Sequence, residues 1–434
     1  TDIYEYDLAS KKTTNLTEGM MGYDTNPQYS KEGVLAWLSM AHDGNESDKN
    51  DLYILKNGKR INLTAQWDNT IFSYRWSNDG KRIYLIAPTQ GTEQLFVVAP
   101  FSKDTTPRQL TQGLFDVNSI VGQAGDQLVV MRTDMNHAAE LYTINLKEKK
   151  KEYLSLKQLS HFNDEQYKQI AQCPIKERII KTTDGKDMHA WVIYPPDFDP
   201  NKKYPTLLYC QGGPQSIVSQ FYSFRWNFQL MASQGYIVIA PNRRGLPGFG
   251  VEWNAQISGD WGGQPMRDYL SAIDDIAKEP YVDKDRLGAV GASYGGYSIY
   301  YLAGIHQKRF KTFIAHCGVF NLESMYGTTE ELFFNNNEIG GAYWEEHNAV
   351  AQKSYKEFNP IKKINNWNTP ILIIHGGKDY RVPEEQGFQA FTATQLKGIK
   401  SELLYFPDEN HWVLQPQNGL LWQRTFFKWL KETL

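Results

Sequence analysis

The chain has 434 residues, more than one ordinary domain, and 41% of them are hydrophobic, enough to bury a large core. Its 46 basic and 49 acidic residues nearly balance, which argues against nucleic-acid or anionic-membrane binding. No apolar run reaches the roughly 18 residues of a membrane span, and three scattered cysteines predict neither a disulfide framework nor a zinc site.

Self-similarity dominates the first 160 residues. Triplets of the type Asn-Leu-Thr recur at 47-residue steps from Asn15, Asn62 and Gln109, with a candidate fourth copy at Leu159-Ser160. Short aromatic strands precede the copies, and Glu-Gly or Asp-Gly turns recur with the same period. This spacing is typical of four-stranded blades, so residues 1–163 are predicted to be the C-terminal blades of a β-propeller. A sandwich with coincidental repeats is the alternative.

About three and a half blades are visible, whereas closed propellers typically need four to eight. The sequence starts in a half-blade, without an initiator methionine or a signal peptide. We therefore expect it to begin inside a longer protein.

From residue 164 the pattern changes to apolar strands alternating with helices, which indicates an α/β-hydrolase domain over residues 164–434 with a doubly wound, mostly parallel sheet. Strands are predicted at Thr206–Cys210, Tyr236–Pro241, Leu287–Val290, Thr312–Cys317, Pro370–His375 and Glu402–Phe406. Helices are predicted at Phe224–Ser233, Asp268–Ala277, Tyr297–Ile305, Pro383–Leu396 and Leu420–Thr433. Ligands of such sheets bind beyond the carboxyl ends of the strands.

Ser293 is the candidate nucleophile. It stands in Gly291-Ala-Ser-Tyr-Gly295, between a predicted strand and a predicted helix. This pattern is that of a nucleophile elbow, in which small neighbours permit a tight, strained turn.

Asp379 and His411 complete a candidate catalytic triad. Each follows a predicted strand, and the chain order Ser, Asp, His is that of the hydrolase fold. His411 would act as general base and Asp379 would orient it. The alternatives are that Asp379 caps the next helix, or that Asp408 or Glu409 is the acid. His375 is interpreted as a buried residue at a strand end.

The stretch Tyr209-Cys-Gln211-Gly212-Gly213-Pro214 ends another strand in a glycine pair. In this fold a loop here supplies one backbone N–H to the oxyanion hole, and the N–H of Tyr294 would supply the other. A phosphate loop is weakly supported because no Gly-Lys-Ser/Thr follows. No nucleotide or metal cofactor is predicted.

With these motifs the chain resembles the prolyl oligopeptidase family of serine peptidases, in particular its acylaminoacyl-peptidase-like branch, which contains bacterial dipeptidyl peptidases. The motifs that carry the resemblance include Asn242-Arg-Arg-Gly245, Asp260-Trp-Gly262, Gly340-Gly-Ala-Tyr-Trp344 and Asn410-His411, beside those above. The resemblance implies a propeller gating a peptidase domain, peptide substrates, a homodimer, and a periplasmic or secreted location.

Carried over by position, Tyr294, Val319, Leu322, Met325 and Val382 would line the pocket for the side chain before the scissile bond. Gln211 stands where some relatives place an oxyanion tyrosine, so it joins Gly212 and Tyr294 as a candidate for that site. Leu322 and Met325 replace aromatic residues of proline-cutting relatives. The resemblance thus implies a preference for alanine or medium hydrophobic residues.

The function predicted from the sequence is a serine exopeptidase that releases dipeptides from free N-termini. An acylaminoacyl peptidase or oligopeptidase is the alternative, because the residues that would bind the substrate amine are expected upstream of residue 1. A lipase or esterase and a catalytically inactive propeller protein are weaker alternatives.

Overall fold

A computed structural model describes residues 1–148 and 152–434, which form two compact units. The first comprises Thr1–Ile170 with the later segments Ser219–Tyr222 and Pro247–Ala255. The second comprises Ala171–Val218, Ser223–Leu246 and Gln256–Leu434. The main stretch of the first unit ends at Ile170, and the domain boundary after residue 163 stays a prediction.

In its described residues, the first unit contains one two-stranded and three four-stranded antiparallel sheets, the latter each built from four consecutive strands. This is the architecture of propeller blades, as predicted, and β1 with β2 forms the expected half-blade. The strands are β1 (Tyr4–Tyr6), β2 (Thr13–Asn15), β3 (Asp24–Tyr29), β4 (Leu35–Ser39), β5 (Asp51–Lys56), β6 (Lys59–Asn62), β7 (Ser73–Trp76), β8 (Ile83–Thr89), β9 (Thr92–Val98), β10 (Arg108–Gln109), β11 (Asp116–Ala124), β12 (Gln127–Asp134), β13 (His137–Asn145) and β14 (Leu156–Gln158). The short helices α1 (Asp164–Tyr167) and α3 (Val251–Ala255) also belong to this unit.

The repeated triplets close these sheets by one recurring hydrogen bond. The threonine hydroxyl after the last strand accepts a backbone N–H in or near the preceding strand, and the pairs are Ile3 to Thr17 at 3.0 Å, Leu52 to Thr64 at 2.9 Å and Leu95 to Thr111 at 3.0 Å. Ser160 accepts the N–H of Leu141 in the same way at 2.8 Å, which confirms the fourth copy. The repeat in the sequence therefore marks the hydrogen bond that recurs once in each of these sheets.

The leucines of the triplets fill the space between sheets. Leu63 is buried in a cluster shared by the sheets β3–β6 and β7–β10, and Leu110 is buried in the cluster between β7–β10 and β11–β14. Burial of such apolar area is the main favourable contribution to the stability of this unit.

The second unit is organised around an eight-stranded sheet in the order β15-β16-β18-β17-β19-β20-β21-β22. β16 runs antiparallel to both neighbours, and the pairs from β18 to β22 are parallel, as predicted for most of the sheet. The strands are β15 (Ile175–Lys181), β16 (Asp187–Ile193), β17 (Tyr204–Cys210), β18 (Ile237–Pro241), β19 (Val282–Ala292), β20 (Thr312–His316), β21 (Ile371–Gly376) and β22 (Ser401–Phe406).

The helices of this unit are α2 (Phe228–Ser233), α4 (Gln264–Ile276), α5 (Tyr294–Ala303), α6 (Leu322–Thr328), α7 (Leu332–Glu338), α8 (Ala349–Glu357), α9 (Glu385–Leu396) and α10 (Pro416–Thr433), with a 3₁₀ helix at Pro360–Asn366. α10 buries Trp422, Phe426, Trp429 and Leu430, and its indoles donate to Thr312 and His316 of β20. Among the described residues, no helix combines the length and apolar character needed to cross a membrane.

The sequence analysis did not predict α6, α7, α8 or the 3₁₀ helix. These elements are short, and capping side chains rather than long apolar stripes mark two of their starts. Asn321 accepts the N–H of Glu323 at the start of α6, and Asn348 accepts that of Ala351 at the start of α8.

Thr64→Val tests the blade closure. The substitution keeps the shape of the side chain but leaves the buried N–H of Leu52 without its acceptor, so we expect a loss of about 1–3 kcal/mol in the free energy of unfolding. Denaturant unfolding and hydrogen exchange at the Leu52 amide measure it. Thr14→Val, at an exposed position in β2, is the control and should change stability little. Equal effects of the two substitutions would contradict the structural role of the repeat.

Candidate active site

Ser293 lies at the turn between β19 and α5 in a conformation that side-chain-bearing residues rarely adopt, with φ 60° and ψ −123°. A β-carbon on Gly291 would lie 2.7 Å from the carbonyl oxygen of Cys210, and one on Gly295 would lie 2.1 Å from the same atom. Both glycines are therefore required by the close approach of two backbones. The packed surroundings hold Ser293 in a strained turn of the kind found at functional sites.

Asp379 and His411 lie on the loops that follow β21 and β22, and their side chains meet. His411 Nδ1 is 2.7 Å from Asp379 Oδ2, and both residues are buried. The other oxygen, Oδ1, accepts the backbone N–H groups of Arg381 at 3.1 Å and Val382 at 2.9 Å. Asp379 therefore holds the turn that follows it with one oxygen and contacts His411 with the other. It does not cap the next helix, α9, whose N-cap residue is Glu384.

The alternative acids have other partners. Asp408 is exposed and forms an ion pair with Lys378 at 3.3 Å. Glu409 accepts the N–H groups of Leu414 at 2.9 Å and Gln415 at 3.0 Å, which ties the loop around His411 together. The carboxylate that contacts the imidazole of His411 is that of Asp379.

The interpretation of His375 as a buried strand-end residue agrees with the structure. His375 is fully buried at the end of β21, and its Nε2 donates to the carbonyl oxygen of Val382 at 2.8 Å. Its ring therefore supports the turn that carries Asp379.

The ends of β19 and β20 connect the serine turn with the His411 loop. The N–H of Ser293 donates to the carbonyl of His316 at 3.0 Å. The next residue, Cys317, has a φ of 41°, and its Sγ lies 4.0 Å from Nε2 of His411 and 3.6 Å from the carbonyl oxygen of His411. Arg225 donates to that carbonyl oxygen at 3.1 Å. The segments of Asp379, Cys317 and Arg225 thus hold His411 from three sides.

The protonation of His411 differs from that of its buried neighbours. Burial, the largest influence, lowers the pKa of His411, but the charge that the Cys317 thiol can carry and the hydrogen bond to Asp379 outweigh it, so this pKa is raised. Burial lowers the pKa of both His316 and His375. Of these three imidazoles, His411 is the one equipped to hold a proton.

The predicted oxyanion loop lies against the serine. A β-carbon on Gly212 would lie 3.4 Å from that of Ser293 and 3.0 Å from the carbonyl oxygen of Ala292. Tyr294, the other predicted donor, is the first residue of α5. This proximity makes the backbone N–H groups of the two residues suitable candidates for stabilising an oxyanion.

The side chain of Gln211 is occupied within its own loop. Its Oε1 accepts the hydroxyl of Tyr209 at 2.7 Å, and its Nε2 donates to Ser216 Oγ at 3.1 Å and to the carbonyl of Ile217 at 3.3 Å. Because these bonds use both N–H groups of the amide, a contribution of Gln211 to the oxyanion site would come through its backbone.

The predicted pocket residues are Tyr294, Val319, Leu322, Met325 and Val382, and all five are buried. The Tyr294 hydroxyl donates to the carbonyl of Trp261 at 2.7 Å, which fixes the ring. Leu322 and Met325 share α6, and the N–H of Val382 contacts Asp379. Their assignment to one pocket stays a prediction.

In the described part of the chain, one group of three possible metal ligands occurs, namely Cys317, Asp379 and His411, whose ligand atoms lie within 4.8 Å of one another. Two of them are hydrogen-bonded directly to each other. The positive charge of Arg225 is within electrostatic reach of Cys317 and Asp379 and disfavours a cation here. The arrangement suits proton transfer better than metal binding.

Sequence reasoning missed two buried charged residues beside the site. Arg243 is fully buried, and its guanidinium donates to main-chain carbonyls of the oxyanion loop. Glu338 is also fully buried and accepts Trp261 Nε1 at 3.0 Å, Ser258 Oγ at 2.7 Å and Gln215 Nε2 at 2.8 Å. The run Asn242-Arg-Arg-Gly245 was a motif of the resemblance, but nothing in it indicated which arginine faces the loop.

Comparison with known proteins supports this architecture. Residues 222–434 match the model of the prolyl oligopeptidase family. The chain is 51% identical to dipeptidyl-peptidase 5 of Porphyromonas gingivalis and 33% identical to that of Schizosaccharomyces pombe. These alignments cover 100% and 99% of this chain and 62% of each relative, so the chain spans less than two thirds of their length.

Solved structures share the fold at lower identity. Acylaminoacyl peptidase of Pyrococcus horikoshii superposes with a TM-score of 0.86 at 21% identity, over 100% of this chain and 66% of that one. Dipeptidyl peptidase 4 of Porphyromonas gingivalis superposes with a TM-score of 0.76 at 20% identity, over 100% and 60%. With this family match and the hydrolase sheet, the domain that contains residues 222–434 belongs to the prolyl oligopeptidase family of serine peptidases.

Proposed function

We propose that the protein is a serine exopeptidase that releases dipeptides from the free N-terminus of oligopeptides through an acyl-enzyme on Ser293. The observation that carries this proposal is the 2.7 Å contact between His411 and Asp379 on loops beyond the same sheet edge as the strained Ser293 turn. Relatives named dipeptidyl-peptidase 5 support the choice of a dipeptidyl peptidase among the activities of the family.

The first half of the reaction forms the acyl-enzyme. Neutral His411 accepts the hydroxyl proton of Ser293 on Nε2 while the serine oxygen attacks the carbonyl carbon of the scissile bond. Asp379 keeps the Nδ1–H tautomer in place and stabilises the imidazolium as it forms. The N–H groups of Tyr294 and Gly212 stabilise the negative oxygen of the tetrahedral intermediate.

Collapse of the tetrahedral intermediate completes this first half. The scissile C–N bond breaks, the imidazolium of His411 gives its proton to the leaving amine, and the acyl-enzyme on Ser293 remains. In the second half, a water molecule loses a proton to His411 and attacks the ester carbonyl carbon. The ester bond to the serine oxygen then breaks, the dipeptide leaves, and His411 returns the proton to Oγ of Ser293. The strained serine turn keeps this oxygen at the sheet edge throughout.

The side chain before the scissile bond is proposed to be alanine or a medium-sized hydrophobic residue. Leu322 and Met325 are buried and aliphatic, so they offer an apolar surface without the flat aromatic walls that favour proline. The flexible thioether of Met325 can adapt to several side-chain sizes.

The location and assembly of the protein are also proposals. The family resemblance supports a periplasmic or secreted protein that forms a homodimer. Cell fractionation tests the location, and light scattering of the purified protein tests the assembly.

Matched substrates test the exopeptidase proposal in the full-length protein. We expect cleavage of chromogenic Lys-Ala and Gly-Phe substrates with free amines, and slower cleavage of Gly-Pro. The N-acetylated dipeptides and acetyl-alanine should not be cleaved. Cleavage of acetyl-alanine would instead establish an acylaminoacyl peptidase, and cleavage of both N-acetylated and free dipeptides would indicate an oligopeptidase.

Ser293→Ala removes the proposed nucleophile. We expect turnover to fall by about 10⁶-fold, as for removal of a nucleophilic serine elsewhere, with unchanged thermal unfolding. Ser298→Ala is the matched control, because Ser298 lies one helical turn further along α5 and its hydroxyl donates to the carbonyl of Tyr294. A Ser293→Ala protein with near-full activity would refute the mechanism.

The pH dependence tests the His411–Asp379 pair. Because His411 must be neutral to act and its pKa is raised, kcat/KM should rise with pH through the pKa of this residue. Asp379→Asn removes an interaction that raises this pKa, so the acid limb should move to lower pH while the maximal rate falls by about 10⁴-fold. Cys317→Ala should also move the limb to lower pH, whereas Cys173→Ala should not. An acid limb that moves upward in Asp379→Asn would contradict the assignment.

A further inference from the structure

The guanidinium of Arg243 lies behind the oxyanion loop, in the fully buried interior of the second unit. Its hydrogen bonds include Nη2 to the carbonyl of Gln211 at 3.3 Å, Nη1 to the carbonyl of Pro214 at 3.0 Å, Nη1 to the carbonyl of Arg244 at 2.6 Å and Nε to the hydroxyl of Tyr269 at 3.1 Å. A buried cation thus places its charge on main-chain oxygens at both ends of the Gln211–Pro214 loop.

The bond to Gln211 has a direct consequence for Gly212. The carbonyl of Gln211 and the N–H of Gly212 belong to one planar trans peptide, so they point in opposite directions. Arg243 and the Tyr269 hydroxyl, each 3.3 Å away, hold that carbonyl from behind. The N–H of Gly212 is therefore held in the opposite direction. A charged donor on the carbonyl also polarises the peptide, which makes its N–H a stronger donor.

Arg243 also contacts the residue that carries the other candidate oxyanion donor. Its guanidinium carbon lies 4.4 Å from the centre of the Tyr294 ring, a favourable cation–π distance. The same side chain thus supports the two backbone segments whose N–H groups stabilise the oxyanion in the proposed mechanism.

We propose that Arg243 is a positioning residue for the oxyanion hole, an inference that rests on the proposed serine peptidase function. It fixes the orientation of the Gly212 N–H through the Gln211 carbonyl and braces Tyr294. It does not touch the substrate. The requirement is for a planar guanidinium, because a lysine ammonium cannot reach Gln211, Pro214 and the Tyr294 ring with one fixed geometry.

Arg244 provides a matched control. It is also buried, but its guanidinium pairs with the carboxylates of Asp184 at 2.7 Å and Asp268 at 3.2 Å. Neither of these carboxylates belongs to the oxyanion loop. Its replacement should lower stability without changing the oxyanion hole. The two adjacent arginines therefore separate a catalytic effect from loss of folding.

The test compares Arg243→Lys, Arg243→Met and Arg244→Lys in the full-length protein. For each variant we would measure kcat, KM and thermal unfolding. We would also measure two inhibition constants, one for a peptidyl boronic acid, which forms a tetrahedral adduct on serine, and one for the product dipeptide. For Arg243→Met we expect kcat to fall about 10- to 100-fold with little change in KM, less than the about 10²- to 10³-fold loss of a whole oxyanion donor. Boronate affinity should fall in parallel, and product affinity should not. Tyr269→Phe, which removes the second donor to Gln211, should show a smaller effect of the same kind.

Two results would overturn the inference. One is an Arg243→Met variant that stays folded and keeps the kcat and boronate affinity of the unaltered protein. The other is a parallel loss of boronate and product affinity in both the Arg243 and the Arg244 variants, which is the signature of general destabilisation. Failure of the proposed function looks different, because the unaltered protein itself would then neither cleave peptides nor bind the boronate.

Discussion

The first turn of α5 approaches the end of β17 and the segment that follows β20 so closely that β-carbons do not fit between their backbones. A β-carbon on Gly295 would lie 2.1 Å from the carbonyl oxygen of Cys210, and one on Gly296 would lie 2.6 Å from the Cα of Gly318. This close approach forces Ser293 into its strained turn and brings the oxyanion loop against it. The geometry of the site therefore depends first on backbone packing, which sets the positions from which the reactive side chains project.

Buried charges in this site are held largely by backbone groups. Asp379 uses one oxygen for two N–H groups and the other for His411, so its charge is stabilised before it orients the imidazole. Arg225 and Arg243 direct their charges at carbonyl oxygens of the His411 loop and the oxyanion loop. Fixed dipoles and charges of this kind lower the reorganisation needed when an oxyanion forms.

The parts of the fold that depend on local sequence were predictable. The blade period was visible because each copy repeats one hydroxyl-to-backbone bond, and the serine elbow was visible because its glycines have a steric reason. Chain order fitted Asp379 and Glu409 equally, because both lie between Ser293 and His411. The contact of Asp379 with His411 and its hydrogen bonds to the following turn required the folded loops.

Other features could not be read from the sequence. The helices α6 to α8 lack a long apolar stripe, so their existence depends on capping and tertiary contacts. The roles of Arg243 and Glu338 depend on which side of a buried turn each side chain faces. The hydrogen bonds of the Gln211 side chain to Ser216 and Ile217 likewise depend on the folded path of the loop.

The central claim is that Ser293 is the nucleophile activated by His411. Peptide mapping by mass spectrometry after reaction with a fluorophosphonate tests it most directly, because this reagent phosphonylates activated serines. The account predicts one adduct per chain, on the peptide that contains Ser293, and no adduct when His411 is replaced by alanine. Labelling confined to another residue, or an undiminished adduct in the His411→Ala protein, would contradict the account.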